Sequence, residues 1–357
     1  MDSLEFIDAL TGDLIVQDQA DGSLAVEKGS SAPDAKSIFF PGCSMINYAM
    51  PLVRSTYELL LKHGEVDGIS LLCCGKILSY EPNGDTLRSS FESQLRERLS
   101  ETTIERIVCA CPNCVKALRE ALALDERTSK IELVVLPKLL ADIGYRVAAA
   151  VAAKLLKDDP DSDVMLCIHD SCPDREYGDF ADGLRAILPE GIWADPAHCR
   201  SRSICCGSLP RAAGKVEAAD RCADICGTEA LDVHADAIVT ACMSCAFQLN
   251  MAQSHLPAVH FLELLFDWRI DWSRVGQWMK IRFLFDETLG VVERSSGSGR
   301  AYAGLGGDDS CLGIESDAMT ISDDVRSLEG AGHESAEDDA ASRGVDISGE
   351  DVEVVGL

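Results

Sequence analysis

The sequence predicts an α/β protein made of two tandem, pseudo-symmetric modules with parallel-type sheets, followed by a disordered acidic tail. Three observations lead to this fold class: an internal repeat, an alternation of short β-rich runs with helical stretches, and a change of composition near residue 295. The chain has 357 residues, a length that accommodates two or three domains of ordinary size.

Three pairs of cysteine-containing segments define the repeat. Each segment in the first half has a counterpart 129 to 132 residues later in the chain. The pairs are 38–43 with 167–172, 71–75 with 203–207, and 106–114 with 237–245. An offset that stays nearly constant across a whole module indicates a duplicated structural unit.

Strands and helices alternate within each module. Short runs rich in β-branched residues predict strands at 69–72, 107–108, 131–136, 164–168 and 237–240. Apolar residues at helical spacing predict an amphipathic helix at 50–63, and 85–99 forms a second helix with Asp85 as its N-cap. Strands that alternate with helices of this length are typical of parallel α/β packing.

Composition divides the chain further. Residues 1–36 are predicted to be a leader and linker, with a hairpin signal where 14–16 and 24–26 flank the Asp21–Gly22 pair. The predicted segments after the leader are a first module at 37–153, a break at 154–163, a second module at 163–272, a C-terminal amphipathic segment at 273–294 and the tail at 295–357.

The tail carries 15 acidic and 3 basic residues, and its only aromatic residue is Tyr302. Such a composition buries too little apolar surface to offset the entropy of ordering, so disorder is predicted. The whole chain has a formal charge of −28, which disfavours binding to nucleic acid.

The N-terminus lacks the order of charged and apolar residues that marks a secretion signal, and the apolar stretch at 147–153 is too short to span a bilayer. A cytoplasmic location is therefore expected, with membrane contact only through a partner. Tryptophans at 268, 272 and 278 lie in a stripe that either docks a partner or packs on its own domain.

Ten of the sixteen cysteines form two quintets of matched spacing. In each quintet a single cysteine is followed by an adjacent pair with a glycine, Gly75 or Gly207, and then by a CxxC. A CxxC that follows a strand and opens a helix directs two thiols to one site, and the helix N-terminus favours the thiolate form. Sets of four or more thiolates select zinc or iron–sulfur clusters.

The arrangement favours iron–sulfur over zinc. A structural zinc site closes with four ligands and commonly pairs two CxxC-like knuckles, whereas each module here offers five sulfurs and one CxxC. Adjacent cysteines fit different irons of a cluster better than they fit one tetrahedral ion. Zinc remains the alternative. Structural disulfides are disfavoured in a reducing compartment.

With these motifs the sequence resembles the cysteine-rich CCG-domain family, and in particular the paired CCG domains of heterodisulfide reductase. The same pair occurs in iron–sulfur subunits of glycolate, lactate and anaerobic glycerol-3-phosphate oxidation systems. The resemblance covers about residues 37–266 and includes the segment 40–43, the His169-Asp170-x-Cys172 motif and the closing segment 259–265.

The resemblance implies a non-cubane [4Fe–4S] cluster in each module, with a disulfide reduced between two facing clusters. The ligands of the first cluster would be Cys43, Cys73, Cys74, Cys111 and Cys114. The ligands of the second would be Cys172, Cys205, Cys206, Cys242 and Cys245. His169, next to Asp170, is a candidate catalytic proton donor to the leaving thiolate, with a purely structural role as the alternative.

The predicted function is that of an iron–sulfur oxidoreductase subunit of the heterodisulfide reductase type. No ferredoxin-type cysteine run occurs in the chain, so a ferredoxin-like or flavoprotein partner is expected to supply the electrons. The protein would use them to reduce a disulfide or pass them toward a quinone. The alternative is a non-catalytic, zinc-stabilised assembly protein that uses the acidic tail for binding. Of the other cysteines, Cys109 and Cys167 are predicted core residues, and Cys222 with Cys226 could form a second metal site.

Overall fold

A computed structural model describes residues 3–18, 24–29, 31–80 and 83–272. The predicted segments 273–294 and 295–357 lie outside these residues. Contacts divide the chain into two compact units. The first contains the residues up to Leu136 together with Asp271 and Trp272, and the second contains Pro137 to Ile270. Both units are α/β, as the sequence predicts. Within the described ranges, none of the helices combines the length and apolar character needed to cross a membrane.

The first unit begins with a three-stranded antiparallel sheet. Its strands, in the order β1-β2-β3, are Ser3–Ile7, Leu14–Asp18 and Leu24–Glu27. The predicted hairpin is confirmed, because β2 pairs with β3 and Val16 lies opposite Ala25. The segment predicted as leader and linker therefore contains a sheet of its own.

The main sheet of the first unit has four parallel strands in the order β5-β4-β6-β7. These strands are β4 (Ser37–Phe40), β5 (Gly68–Ile69), β6 (Arg106–Cys109) and β7 (Glu132–Val135). The α-helices are α1 (Cys43–Tyr48), α2 (Met50–Lys62), α3 (Gly84–Ser100) and α4 (Pro112–Leu122). One short 3₁₀ helix covers Lys76–Tyr80 and another covers Thr128–Lys130.

The second unit repeats this arrangement, with four parallel strands in the order β9-β8-β10-β11. Its strands are β8 (Leu166–His169), β9 (Trp193–Ala194), β10 (Ala237–Thr240) and β11 (Ala258–His260). Its α-helices are α5 (Leu136–Asp142), α6 (Ala149–Lys157), α7 (Asp179–Ile187), α8 (Ser208–Ala212), α9 (Val216–Asp232), α10 (Met243–Ala252) and α11 (Phe261–Leu265). Both units thus place equivalent strands at equivalent sheet positions, which accounts for the sequence repeat.

Burial explains the strands and helices. Strand β4 is apolar along most of its length, and Ile38 and Phe39 are fully buried, as expected of a parallel strand covered on both faces. The helix predicted at 50–63 is confirmed as α2, which buries Leu52, Val53 and Leu60. These side chains recur at helical spacing, so one face of the helix covers the sheet.

The prediction of Asp85 as an N-cap is wrong. Helix α3 begins at Gly84, Asn83 occupies the cap position without a side-chain hydrogen bond, and Asp85 lies in the first turn. A carboxylate there still interacts favourably with the positive end of the helix dipole, which is why the local pattern resembled a cap.

The second unit begins earlier than the predicted break at 154–163. It starts at Pro137, so it takes in α5 and α6, which the sequence placed at the end of the first module. Helix α5 approaches α7 at Gly183, where an added Cβ would lie 2.6 Å from the Lys138 nitrogen. The backbone of Val147 also donates a hydrogen bond to the Ile187 carbonyl. These contacts attach α5 and the segment after it to the second unit.

Asp8 connects the N-terminal sheet to the main sheet of the first unit. Its side chain is fully buried and accepts hydrogen bonds from Ser70 Oγ at 3.2 Å, from the Leu71 backbone nitrogen at 2.9 Å and from the Leu10 backbone nitrogen at 2.9 Å. Residues 70–71 lead from β5 to the adjacent cysteines at 73–74. Asp8 therefore fixes the backbone that presents this cysteine pair.

Replacing Asp8 with alanine is expected to lower the free energy of unfolding by about 3 kcal/mol, since several buried donors lose their acceptor. Urea unfolding followed by circular dichroism measures this effect. The control is Glu58→Ala, which removes an exposed carboxylate paired with Arg54 and is expected to change stability by less than about 0.5 kcal/mol. Equal effects of the two substitutions would contradict the role of Asp8.

Candidate metal centre

In each quintet, the first cysteine and the CxxC lie in or just after loops that follow parallel strands. Cys43 comes three residues after β4, and Cys172 comes three residues after β8. The two CxxC motifs follow β6 and β10. Because the carboxyl ends of parallel strands meet at one edge of a sheet, these loops gather on one side of each unit.

The five thiols of the first unit interact one after another in a continuous series, called here the sulfur chain. Cys73 shares hydrogen bonds with Cys43 and Cys74, and these bonds are the main reason that its pKa is raised well above the usual value. Cys74 accepts from Cys114 and Cys73, which lowers its pKa. Cys114 also interacts with Cys111 through a hydrogen bond. The order of contact is therefore 43, 73, 74, 114, 111.

The second unit has the same chain in the same order. The sulfurs of Cys172 and Cys205 are 3.7 Å apart. Hydrogen bonds from Cys172 and Cys206 lower the pKa of Cys205 to about 2. Cys206 also interacts with Cys245 through a hydrogen bond, and Cys245 interacts with Cys242 in the same way. The order of contact is 172, 205, 206, 245, 242, which matches the first unit position by position.

Helix starts present the two CxxC motifs, as predicted. Cys111 occupies the N-cap position of α4 and Cys242 that of α10, and the second cysteine of each motif lies in the first helical turn. The peptide N–H groups at these ends stabilise a thiolate. The sharp turns predicted after the adjacent pairs are also present, since Gly75 and Gly207 have φ angles of 77° and 100°.

Backbone nitrogens donate to the adjacent pairs. In the second unit the Gly207 nitrogen lies 3.4 Å from Cys205 Sγ, and the Ser208 nitrogen lies 3.5 Å from Cys206 Sγ. In the first unit the backbone of Lys76 donates to Cys74. Donors of this kind stabilise thiolate ligands and tune the reduction potential of a bound cluster.

Each quintet combines buried and accessible sulfurs. Six of the ten thiols are buried, and the other four are half-buried: Cys43, Cys111, Cys172 and Cys205. None of the fifteen cysteines in the described part of the chain forms a disulfide. Two matched sets of five thiols that form no disulfide suit a metal or an iron–sulfur group and give a second molecule partial access to it.

His169 distinguishes the second unit from the first. It ends β8 at the position where β4 ends with Phe40, and it is 7 % exposed. One of its ring nitrogens and the sulfurs of Cys206 and Cys245 all lie within 4.8 Å of one another. Its Nε2 atom is buried and has no hydrogen-bond partner among the described residues. Burial lowers the pKa of His169, which favours the neutral ring.

A buried ion pair supports the Cys172 loop. Both Asp170 oxygens accept from the Arg185 guanidinium, at 2.9 Å and 2.8 Å, and the Arg200 backbone nitrogen donates to the same carboxylate at 2.6 Å. Arg185 also pairs with Asp195. The sequence marks Asp170 only as the neighbour of His169, and no local pattern identifies Arg185 as its partner.

A second histidine, His260, lies near Cys242 and was not singled out from the sequence. His260 is the N-cap of α11. Its side chain accepts a hydrogen bond from the Leu262 backbone nitrogen, and the Glu263 side chain accepts one from the His260 backbone nitrogen. Burial lowers the pKa of His260 to about 4 and raises the pKa of Glu263 to about 7. The reciprocal bonds are those of a capping box, and the spacing of the two polar residues in 260–263 carries that signal.

The cysteines outside the quintets have structural positions. Cys109 and Cys167 are buried in β6 and β8, which confirms the prediction that they are core residues. Cys222 and Cys226 lie on α9, but the group of three close ligand atoms found among the described residues includes neither. Cys311 lies outside the described residues. In the tryptophan stripe, the Trp272 ring contacts Tyr48, with the centroids 6.1 Å apart.

Gly42 sits against the sulfurs of the first unit. Its φ is +83°, and an added Cβ would lie 3.0 Å from both Cys114 Sγ and Cys111 Cβ. Gly42→Ala is therefore expected to lower metal loading of the first unit by at least about half while the second unit keeps its metal. Metal content per chain, measured after anaerobic purification, tests this expectation.

The matched control is Gly64→Ala. Gly64 has a φ of +68°, but an added Cβ there meets nothing within 4 Å. It reproduces the backbone strain of the Gly42 substitution without the steric contact. Equal metal loss in both variants would mean that strain alone, rather than crowding of the thiols, causes the loss.

Comparison with known families agrees with this geometry. Residues 37–119 and 167–250 each match the cysteine-rich domain family CCG. The chain therefore carries two cysteine-rich CCG domains, one in each unit. This family is associated with oxidoreductase subunits, and its cysteine-rich character is consistent with iron–sulfur or other metal binding. No curated protein shows significant sequence similarity to the chain.

Solved structures share only a distant likeness. Glutamate racemase isoform RacE1 from Bacillus anthracis is 10% identical with a TM-score of 0.30, covering 65% of this chain and 78% of that one. Aspartate racemase from Picrophilus torridus is 13% identical with a TM-score of 0.30, covering 64% of this chain and 90% of its own. At these TM-scores the likeness carries no functional conclusion.

Proposed function

We propose that this protein is an iron–sulfur oxidoreductase subunit that holds one [4Fe–4S] cluster in each unit, of the non-cubane type that the family resemblance implies. The observation that carries the proposal is the pair of matched sulfur chains. Five thiols contact one another in the same order in both units, although the quintets extend over the long sequence segments 43–114 and 172–245.

The donor set fits an iron–sulfur group better than it fits a single ion. A tetrahedral zinc site uses four ligands, and a fifth thiol would be left over in each unit. Beyond their contact with each other, the two adjacent cysteines interact with different thiols, Cys73 with Cys43 and Cys74 with Cys114. Ligands that diverge in this way suit two metal atoms of a cluster.

When bound, such clusters accept and release single electrons. The chain's own residues hold the ligands and control access to them. Buried thiols such as Cys74 and Cys206 anchor the group away from water, and half-buried thiols such as Cys43 and Cys172 lie where another molecule can approach. The backbone donors at 207–208 stabilise the thiolates.

The substrate class that we propose is a disulfide. Its reduction consumes two electrons and two protons, breaks the S–S bond and yields two thiols, and two one-electron centres match this requirement. A ferredoxin-like or flavoprotein partner would supply the electrons. The facing arrangement of the two clusters, implied by the family resemblance, stays a prediction.

Turnover assays test this function. Anaerobically purified protein with reduced methyl viologen as artificial donor should convert a small organic disulfide to thiols, which a thiol reagent quantifies. A parallel assay with a short-chain quinone as acceptor distinguishes disulfide reduction from electron relay to a quinone. If the protein oxidises the donor when the quinone is the acceptor but not when the disulfide is, the disulfide proposal is overturned. A zinc-loaded protein that oxidises the donor in neither assay would favour a zinc-stabilised assembly protein.

A further inference from the structure

The two units differ at one position next to the sulfur chain. Strand β4 ends with Phe40, and strand β8 ends with His169. Both side chains are buried, at 2 % and 7 % exposure, and each precedes the first cysteine of its quintet by three residues. The repeat therefore substitutes a potential metal ligand for an apolar ring in the second unit.

The geometry around His169 resembles a coordination face. Its ring nitrogen, Cys206 Sγ and Cys245 Sγ lie within 4.8 Å of one another, and all three side chains are buried. Ligand atoms bonded to one tetrahedral metal at about 2.0–2.3 Å lie roughly 3.5–3.8 Å from each other. Separations of up to 4.8 Å are about 1 Å longer than these values, so coordination of one metal requires the three side chains to move inward by about that amount.

The Nε2 atom of His169 has an unmet bonding requirement. It is buried without a hydrogen-bond partner in the described part of the chain. A polar atom in this situation is destabilising, and a bond to a metal or to its cluster removes that cost. The neutral imidazole ring has one nitrogen lone pair, which is the group that metals bind.

We propose, building on the function proposed above, that a ring nitrogen of His169 bonds to the metal in the second unit together with Cys206 and Cys245. The second centre then has mixed nitrogen and sulfur ligation, whereas the first centre has sulfur ligands only. This role differs from that of a proton donor, because a nitrogen bonded to metal holds no transferable proton at the bonded atom.

Pulsed electron paramagnetic resonance of protein labelled with ¹⁵N-histidine tests the ligation. The reduced, anaerobically purified wild type should show a nitrogen coupling as strong as that of a nitrogen bonded directly to iron. His169→Phe, which introduces the residue of the first unit, should abolish this coupling. His198→Asn is the matched control, because His198 lies in the same unit and its ring is hydrogen-bonded to Glu229. The control should retain the coupling.

The outcomes separate this inference from the proposed function. Iron-loaded wild type without a strong nitrogen coupling, or a coupling that survives in His169→Phe, would overturn the ligand role and leave the iron–sulfur function standing. Loss of the wild-type coupling in His169→Phe, with or without loss of iron from the second unit, supports the inference. A wild type that contains no iron would remove both proposals together.

Discussion

Replacing Cys74 with serine is expected to halve the iron content of the anaerobically purified protein, from about eight to about four irons per chain. Cys74 is buried and interacts with both Cys73 and Cys114, so it is the middle member of the sulfur chain in its unit. A serine hydroxyl is a poor substitute for a soft thiolate. Iron and acid-labile sulfide assays measure the loss.

Cys206→Ser provides the reciprocal test, because Cys206 is the middle member in the second unit. It should also halve the iron, and the double variant should contain almost none. Cys222→Ser is the control, since Cys222 lies on α9 outside both sulfur chains and should leave the iron content unchanged. If either single variant lost all of its iron, the two centres would not be independent.

Replacing Asp170 with alanine is expected to lower the free energy of unfolding by about 3–5 kcal/mol. The substitution leaves the buried guanidinium of Arg185 without its two-bond partner, and the backbone nitrogen of Arg200 loses its acceptor. The side chains of Asp170 and Arg185 are only 2 % and 8 % exposed, so water replaces little of this interaction. Urea unfolding followed by circular dichroism measures the change.

The matched control for Asp170 is Asp182→Ala. Asp182 pairs with the Arg200 side chain, and both groups are exposed, so the loss should be below about 1 kcal/mol. Asp170 also lies two residues before Cys172, so its substitution should reduce iron in the second unit while the first unit keeps its iron. Equal stability losses in the two variants would contradict a specific role for the buried pair.

Local patterns in the sequence were sufficient to predict much of the fold. The apolar spacing of α2 and the β-rich runs at β6 and β10 correspond to the observed elements. The duplicated cysteine spacing identified the thiols that the fold brings together in each unit. These features depend on periodicity and on residue type, both of which are visible in a single sequence.

Features that depend on distant contacts were not predicted. Asp8 accepts from Leu10 nearby, but its contacts with Ser70 and Leu71 span 62 and 63 residues, and no local pattern reveals them. The start of the second unit depends on the close approach of α5 to Gly183, which composition does not reveal. The pairing of Asp170 with Arg185 likewise follows from tertiary packing rather than from a motif.

The most direct test of the central claim is the metal and sulfide content of protein purified without oxygen. Two iron–sulfur centres predict about eight irons and about eight acid-labile sulfides per chain, with negligible zinc. The same preparation should be brown, with broad visible absorption. Stoichiometric zinc with negligible iron and sulfide would contradict the account.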